Sequence, residues 1–188
     1  MMNRFAGLLL LLVVAVVAEF PGLKWDASVS TVLDRYPDAV RNRCCYFEGV
    51  NIFGRDSLEI YTEPLAANCY ERRTFLFYKK KLVQVELKCA MDSVTPDNFE
   101  AKIIDPLKKK LGSKTPFTHA QDDKTKNIRF YQWRTKTDMV LAMFGHFKKV
   151  TPANLDWSKV SYYKRDFYDF KSQGKPSVIA EGEWKIVY

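Results

Sequence analysis

Residues 74–88 read TFLFYKKKLVQVELK, and they carry the clearest structural signal in the chain. Apolar and polar residues alternate after the three lysines, and a period of two is typical of a β-strand because successive side chains point to opposite faces. The stretch therefore predicts an antiparallel hairpin with its turn at the lysines. In the returning strand, the odd-numbered residues from Val83 to Cys89 are expected on a buried face and the even-numbered ones in solvent.

Further strand patterns lie on both sides of this hairpin. Residues 46–53 and 57–61 flank turn residues 54–56, and residues 128–134 and 139–147 flank a second turn at 135–138. The chain around Pro64 and from Ser113 to Lys126 is expected to form loops. Residues 160–163 predict an edge strand. Several antiparallel strands are therefore expected.

Two segments have the spacing of amphipathic helices. The first has apolar residues from Val29 to Tyr36, with Asp26 or Ser28 as its N-cap. The second begins at Thr95-Pro96-Asp97, which supply a cap, a proline at the first helical position and an acid in the first turn. Its apolar stripe recurs every fourth residue from Phe99 to Leu111, with an interior kink expected at Pro106.

The element order predicts the fold class and the domain organisation. We expect an α+β fold in which an antiparallel sheet of about six to eight strands carries two main helices on one face. The order helix, strands, helix, strands also admits the alternative of two similar αβ halves. Residues 19–188 are expected to form a single domain with an irregular tail from about residue 171. No sequence motif identifies a family.

The amino terminus has the pattern of an export signal. Arg4 precedes an apolar run over residues 5–17, and small residues precede Glu19. This predicts a signal peptide over residues 1–18 and a mature chain that starts at Glu19 and is periplasmic or secreted. No later apolar run approaches the length of a spanning helix, so no transmembrane segment is expected in the mature chain.

The charge balance indicates the kind of partner. The chain has 30 lysine and arginine residues against 22 acidic ones, a net charge of +8. An excess of positive charge favours anionic partners, such as an acidic protein or an anionic component of the cell envelope. Nucleic acid is not expected for an exported chain. No pattern of residues indicates a cofactor.

The chain has four cysteines: Cys44, Cys45, Cys69 and Cys89. An even number in an oxidising compartment predicts structural disulfides. Adjacent cysteines rarely bridge each other, which leaves Cys44–Cys69 with Cys45–Cys89, or Cys44–Cys89 with Cys45–Cys69. A single bond with two thiols is a further alternative. Metal ligands at C-x-x-C spacing are absent, so no metal site is predicted.

Basic and aromatic residues interleave in three stretches, residues 75–81, 129–134 and 162–168. Such surfaces can stack rings and contact anionic chains, although half-buried strands of any basic protein produce the same pattern. The candidate binding surface comprises Lys79, Lys80, Lys81, Arg129, Tyr131, Trp133 and Arg134.

Catalytic candidates are few. His119 and His146 are the only histidines, and no serine or cysteine stands in a nucleophile motif. The sequence therefore favours a non-catalytic envelope or periplasmic protein that acts as a binding or accessory module. The alternative is a small exported hydrolase in which His119 works with the nearby carboxylates Asp122 and Asp123.

Overall fold

A computed structural model describes residues 23–42, 58–111, 117–122, 124–149 and 156–172. These residues form one eight-stranded antiparallel sheet with short helices. The strands are β1 (Val40–Arg41), β2 (Leu58–Ala67), β3 (Tyr70–Tyr78), β4 (Lys81–Cys89), β5 (Phe117–Asp122), β6 (Lys126–Arg134), β7 (Asp138–Phe147) and β8 (Trp157–Lys164). The helices are α1 (Val29–Arg35), α2 (Asp105–Leu111) and α3 (Arg165–Ser172), with a 3₁₀ turn at Met91–Ser93 and a π-helical turn at Glu100–Ile104.

The sheet consists of two meanders joined at one seam. Its strand order is β1-β2-β3-β4-β8-β7-β6-β5, so β1–β4 and β5–β8 each run in sequence order from an edge to the centre. At the seam β4 pairs with β8, and Glu86 lies opposite Ser161. All neighbouring strands are antiparallel.

The predicted fold class is wrong. An α+β fold with two main helices on one face was expected, whereas the described chain is mostly a single antiparallel sheet, and no described α-helix exceeds the eight residues of α3. The helices are short for local reasons. Pro37 follows α1 closely, and Pro106 lies inside the second segment, where it has no N–H to donate to a regular helix.

The second helical segment is divided at Pro106. The expected helix from Thr95 to Leu111 becomes a turn, the π-helical turn at Glu100–Ile104 and then α2. The N–H of Asp105 bonds the carbonyl of Glu100, five residues earlier. This wider turn comes directly before the proline and takes the place of the expected kink.

One face of the sheet packs against both α1 and the α2 segment. Val32 of α1 is fully buried among Phe75, Phe77 and Val85. Phe99, Ile103 and Leu107 pack farther along the same face, in the cluster that contains Leu87. Val85 and Leu87 are two residues apart on β4, and both point to this face.

The opposite face is also buried, which corrects the expectation that it is wet. Gln84 is 6% exposed and Glu86 is 7% exposed. Phe167 and Tyr168 of α3 pack on this face with Leu76, Val83 and Tyr163. Val83 points here and not with Val85, because the pairing of β3 with β4 shifts register between Leu76 and Phe77.

Three segments differ from their sequence-based assignment. β2 continues through Pro64 to Ala67, with a register irregularity that accommodates the proline. Part of the expected loop from Ser113 to Lys126 forms edge strand β5. The strand expected at an edge, β8, lies at the centre between β4 and β7. In each case pairing with a neighbouring strand outweighs the local signal, and for β8 one of these neighbours, β4, is distant in the sequence.

Other local predictions are confirmed. α1 begins after Ser28, whose hydroxyl accepts a hydrogen bond from the N–H of Thr31 at 3.2 Å. The β3–β4 and β6–β7 hairpins form as expected. The predicted signal peptide, the strand at residues 46–53 and the residues beyond Ser172 lie outside the described residues. Among the helices that are described, none has the length and apolarity required to cross a bilayer.

Candidate functional site: the basic end of the sheet

Four strands and helix α3 place basic residues at one end of the sheet. The β3–β4 turn contains Lys79–Lys81, β6 ends at Arg134, β8 ends at Lys164, and α3 begins with Arg165. The pairing of Met139 with Arg134, and of Asp138 with Lys164, brings these strand ends to one level. We call this region the basic end and define it by Lys79–Lys81, Arg134, Lys164 and Arg165.

Three cations of the basic end, Lys164, Arg134 and Arg165, form ion pairs with acidic residues. Lys164 Nζ lies 2.6 Å from a carboxylate oxygen of Asp26. The guanidinium groups of Arg134 and Arg165 lie 2.8 Å and 3.6 Å from the same oxygen of Asp169, which belongs to α3. These contacts fix α3 and the segment before α1 against the end of the sheet.

The three turn lysines differ from the other cations of the basic end. Lys79, Lys80 and Lys81 are exposed and make no ion pair with any residue that the structure describes. Lys79 Nζ lies 5.3 Å from the centre of the Tyr78 ring, a cation–π contact that leaves the charge accessible. The turn therefore presents three charges that an anion can reach.

The backbone of this turn is strained. Lys79 and Lys80 form a two-residue connection in which both φ angles are positive, 49° and 63°. Such turns match the twist of a hairpin, but they favour Asn-Gly because other L-residues lose roughly 1–2 kcal/mol in this conformation. Lysine is therefore present at two positions where it lowers stability.

The first prediction concerns this strain. The double variant Lys79→Asn/Lys80→Gly should raise the free energy of unfolding by about 1 kcal/mol, because both new residues tolerate positive φ. In thermal denaturation this corresponds to a rise in Tm of roughly 2–4 °C. Lys79→Ala/Lys80→Ala removes the same charges but keeps the strain, and it should show no such rise. Equal Tm changes in the two variants would contradict the argument.

An open depression with a volume of about 420 Å³ lies beside the turn. Tyr78 and Phe167 contribute rings to it, with centroids 5.8 Å apart. Three lysines and two aspartates border this apolar surface, and the charge of Lys164 is paired with that of Asp26, so the rings lie beside Lys79 and Lys81. The lining residues are Asp26, Tyr78, Lys79, Lys81, Val83, Lys164, Asp166 and Phe167.

The other part of the predicted binding surface lies elsewhere. Trp133 is 3% exposed in the core beneath the α2 segment, and Tyr131 stacks on it. Tyr131 donates a hydrogen bond to Glu100, and Arg129 lies 3.7 Å from the same carboxylate. Burial and this hydrogen bond raise the pKa of Tyr131 to about 12. Arg129, Tyr131 and Trp133 thus help to attach the π-helical turn to the sheet, whereas Arg134 belongs to the basic end.

The histidines occupy different strands. His119 is exposed on edge strand β5 and forms no hydrogen bond or ion pair with any described residue, while Asp122 lies 3.4 Å from Lys148. His146 Nδ1 lies 2.6 Å from Asp156, which also accepts a hydrogen bond from the N–H of Phe147. No local pattern indicated this pair, because Asp156 lies ten residues after His146 in a separate segment. Asp123 lies outside the described residues.

Two of the four cysteines are described. Cys69 and Cys89 are buried, and their sulfur atoms lie 4.0 Å apart at the end of the sheet opposite the basic end. Cys44 and Cys45 lie outside the described residues. Within the described ranges, no group of three or more His, Cys, Asp or Glu residues is arranged to hold a metal ion.

Comparison with known proteins adds no identification: no family model, no curated protein and no solved structure matches the chain.

Proposed function

We propose that the protein is an exported, non-catalytic binding module that docks on an anionic component of the cell envelope through its basic end. The observation that carries this proposal is the β3–β4 turn, which presents three exposed lysines, two of which, Lys79 and Lys80, have a backbone conformation that disfavours lysine. Strain that a sequence retains at the surface is typical of functional segments. The amino-terminal pattern supports export, and the net charge of +8 supports an anionic partner.

The depression beside the turn favours a phospholipid as the anionic component. A lipid headgroup offers a phosphate to Lys79 and Lys81, and its glycerol and proximal acyl carbons match the rings of Tyr78 and Phe167. Aromatic rings next to lysine side chains are common at membrane interfaces, where one end of the site is apolar and the other is wet. The proposed contact is peripheral and electrostatic.

The second prediction tests this contact. The variant Lys79→Gln/Lys80→Gln/Lys81→Gln should bind vesicles of phosphatidylcholine with phosphatidylglycerol about 100-fold more weakly than the wild type, since each lysine near an anionic surface contributes about 1 kcal/mol. Co-sedimentation at about 0.1 M salt, where the Debye length is about 10 Å, measures the partition. Raising the salt concentration should weaken wild-type binding and reduce the difference between the two proteins.

A matched variant controls for the loss of net charge. Lys124, Lys148 and Lys149 are exposed at the opposite end of the sheet, and their replacement by glutamine removes the same three charges. This control should retain binding within about threefold, because its charges lie more than a Debye length from the bound surface. Equal losses in the two triple variants would contradict a localised site. If the wild type binds heparin but not anionic vesicles, the proposed phospholipid partner is wrong and the partner is another polyanion.

A further inference from the structure

Cys69 and Cys89 stand at the open end of the β3–β4 hairpin. Cys69 lies in the turn between β2 and β3, and Cys89 is the last residue of β4, directly opposite Tyr70. The carbonyl of Cys69 accepts a hydrogen bond of 2.9 Å from the N–H of Ala90. We propose that the mature protein carries a disulfide bond between Cys69 and Cys89.

The local geometry allows this bond. The two sulfur atoms are 4.0 Å apart and both side chains are buried, Cys69 at 7% and Cys89 at 1% exposure. A disulfide requires about 2.05 Å between the sulfurs, with Cα atoms about 4.4–6.8 Å apart. Cys69 and Cys89 belong to neighbouring hydrogen-bonded segments, so their backbones are already close. Rotation of a cysteine side chain about its Cα–Cβ bond supplies the remaining approach of about 2 Å.

Covalent reach argues against bonds from these two residues to the neighbouring cysteines in the sequence. The N–H of Asn42 bonds the carbonyl of Ile60, which holds Asn42 at that level of the sheet. Leu76 lies opposite Ile60, and six residues of β3 separate it from Tyr70, a distance of about 20 Å.

Cys45 is three residues from Asn42, and an extended chain of three residues spans at most about 11 Å. This reach is shorter than the roughly 20 Å between the level of Asn42 and that of Tyr70, so the described part of the sheet favours the pairing of Cys69 with Cys89. Cys44 is one residue nearer to Asn42 and reaches less far. Cys89 is farther from Asn42 than Cys69 is, because β4 is three strands away from β1.

The oxidation needs an external acceptor of two electrons. The thiols of Cys69 and Cys89 lose two protons and two electrons as one S–S bond forms, and the disulfide of a dithiol oxidant is reduced to two thiols. Oxidised glutathione or the disulfide of a thiol oxidase has this chemistry, and such oxidants act in the compartments to which exported proteins are sent.

Peptide mapping tests the pairing. Protein purified without reductant from an oxidising compartment is alkylated first while folded and again after unfolding in denaturant, then digested and analysed by mass spectrometry under non-reducing conditions. The expected result is a linked pair of peptides that contain Cys69 and Cys89 and separate on reduction. Alkylation of both residues in the folded or unfolded protein, or linkage of either one to Cys44 or Cys45, would overturn the proposal.

A stability measurement gives a second readout. The bond closes a loop of 20 residues, so reduction should lower Tm by roughly 6–12 °C. The variant Cys69→Ser/Cys89→Ser should show no further change when reductant is added. If this variant does not fold, addition of reductant to the wild type still tests the proposal, and an unchanged Tm would contradict it.

Discussion

Replacing Lys159 by methionine is expected to lower the free energy of unfolding by about 3–5 kcal/mol, because the Glu86 carboxylate is left buried without its cation. Lys159 Nζ lies 2.8 Å from Glu86, and Ser161 donates a second hydrogen bond to the same oxygen at 3.2 Å. Both residues belong to the seam between β4 and β8. Urea denaturation measures the loss directly, and Tm should fall by roughly 6–20 °C.

A double variant separates the cost of an unpaired charge from general damage to the seam. In Glu86→Met/Lys159→Met neither charge remains, and apolar side chains of similar volume often replace a buried pair without loss of stability. This protein should recover most of the stability lost in Lys159→Met. A double variant as unstable as the single one would show that packing, and not the unpaired carboxylate, causes the effect.

The pH dependence of Lys159→Met provides an independent check. Burial raises the pKa of Glu86, but the charge of Lys159 and hydrogen bonds from Lys159 and Ser161 outweigh it, so the pKa lies below its usual range. In the wild type the stabilisation is present above the unfolded-state pKa and is lost as the pH falls through the lower folded-state pKa. In the variant the unpaired carboxyl gains a proton more easily, so the difference in stability should shrink as the pH falls. A constant difference would contradict this account.

Replacing Phe99 by alanine is expected to lower the free energy of unfolding by about 3–5 kcal/mol through loss of buried surface and creation of a cavity. Phe99 is fully buried, and its ring centroid lies 5.1 Å from that of Phe144 and 6.1 Å from that of Tyr131. It immediately precedes the π-helical turn. The variant should therefore also detach the α2 segment from the sheet, which hydrogen exchange at Ile103 and Leu107 can follow.

The conservative variant Phe99→Leu provides the control. It keeps most of the buried volume, so it should cost less than about 1.5 kcal/mol and preserve protection from exchange. A loss below about 1 kcal/mol in Phe99→Ala would mean that the segment is held mainly by its other contacts, such as the hydrogen bond from Tyr131 to Glu100.

Local sequence patterns predicted the hairpins but not their surroundings. Alternation in residues 74–88 predicted β3 and β4 correctly, because side-chain period is a property of the strand itself. It placed Glu86 in solvent, because the pattern carries no information about β8, which pairs with β4 and supplies Lys159. The shift in register at Leu76 likewise moved Val83 to the other face. The length of the second helix was overestimated for a similar reason. Its apolar stripe from Phe99 to Leu111 does not show that the segment is divided at Pro106.

The candidate site was predictable only in part. The lysines of the β3–β4 turn are visible as a run in the sequence, and their exposure follows from their place in a turn. Their proximity to Arg134 and Lys164 depends on the order of strands in the sheet, which no local signal contains. For the same reason Trp133 was grouped with exposed residues, although its strand lies beneath the α2 segment.

The two halves of the seam become available at different times when the chain is synthesised. Within each meander a strand pairs with the next one along the chain, whereas Lys159 meets Glu86 across 73 residues. Closing so long a loop is slow, and formation of the seam is therefore expected to limit the rate of folding. Until β8 arrives, β4 is an open edge with unpaired backbone groups, and such edges promote aggregation. Because the chain is synthesised from its amino terminus, β4 is exposed until β8 has been made. A chaperone that covers β4 during this time should therefore increase the yield of folded protein.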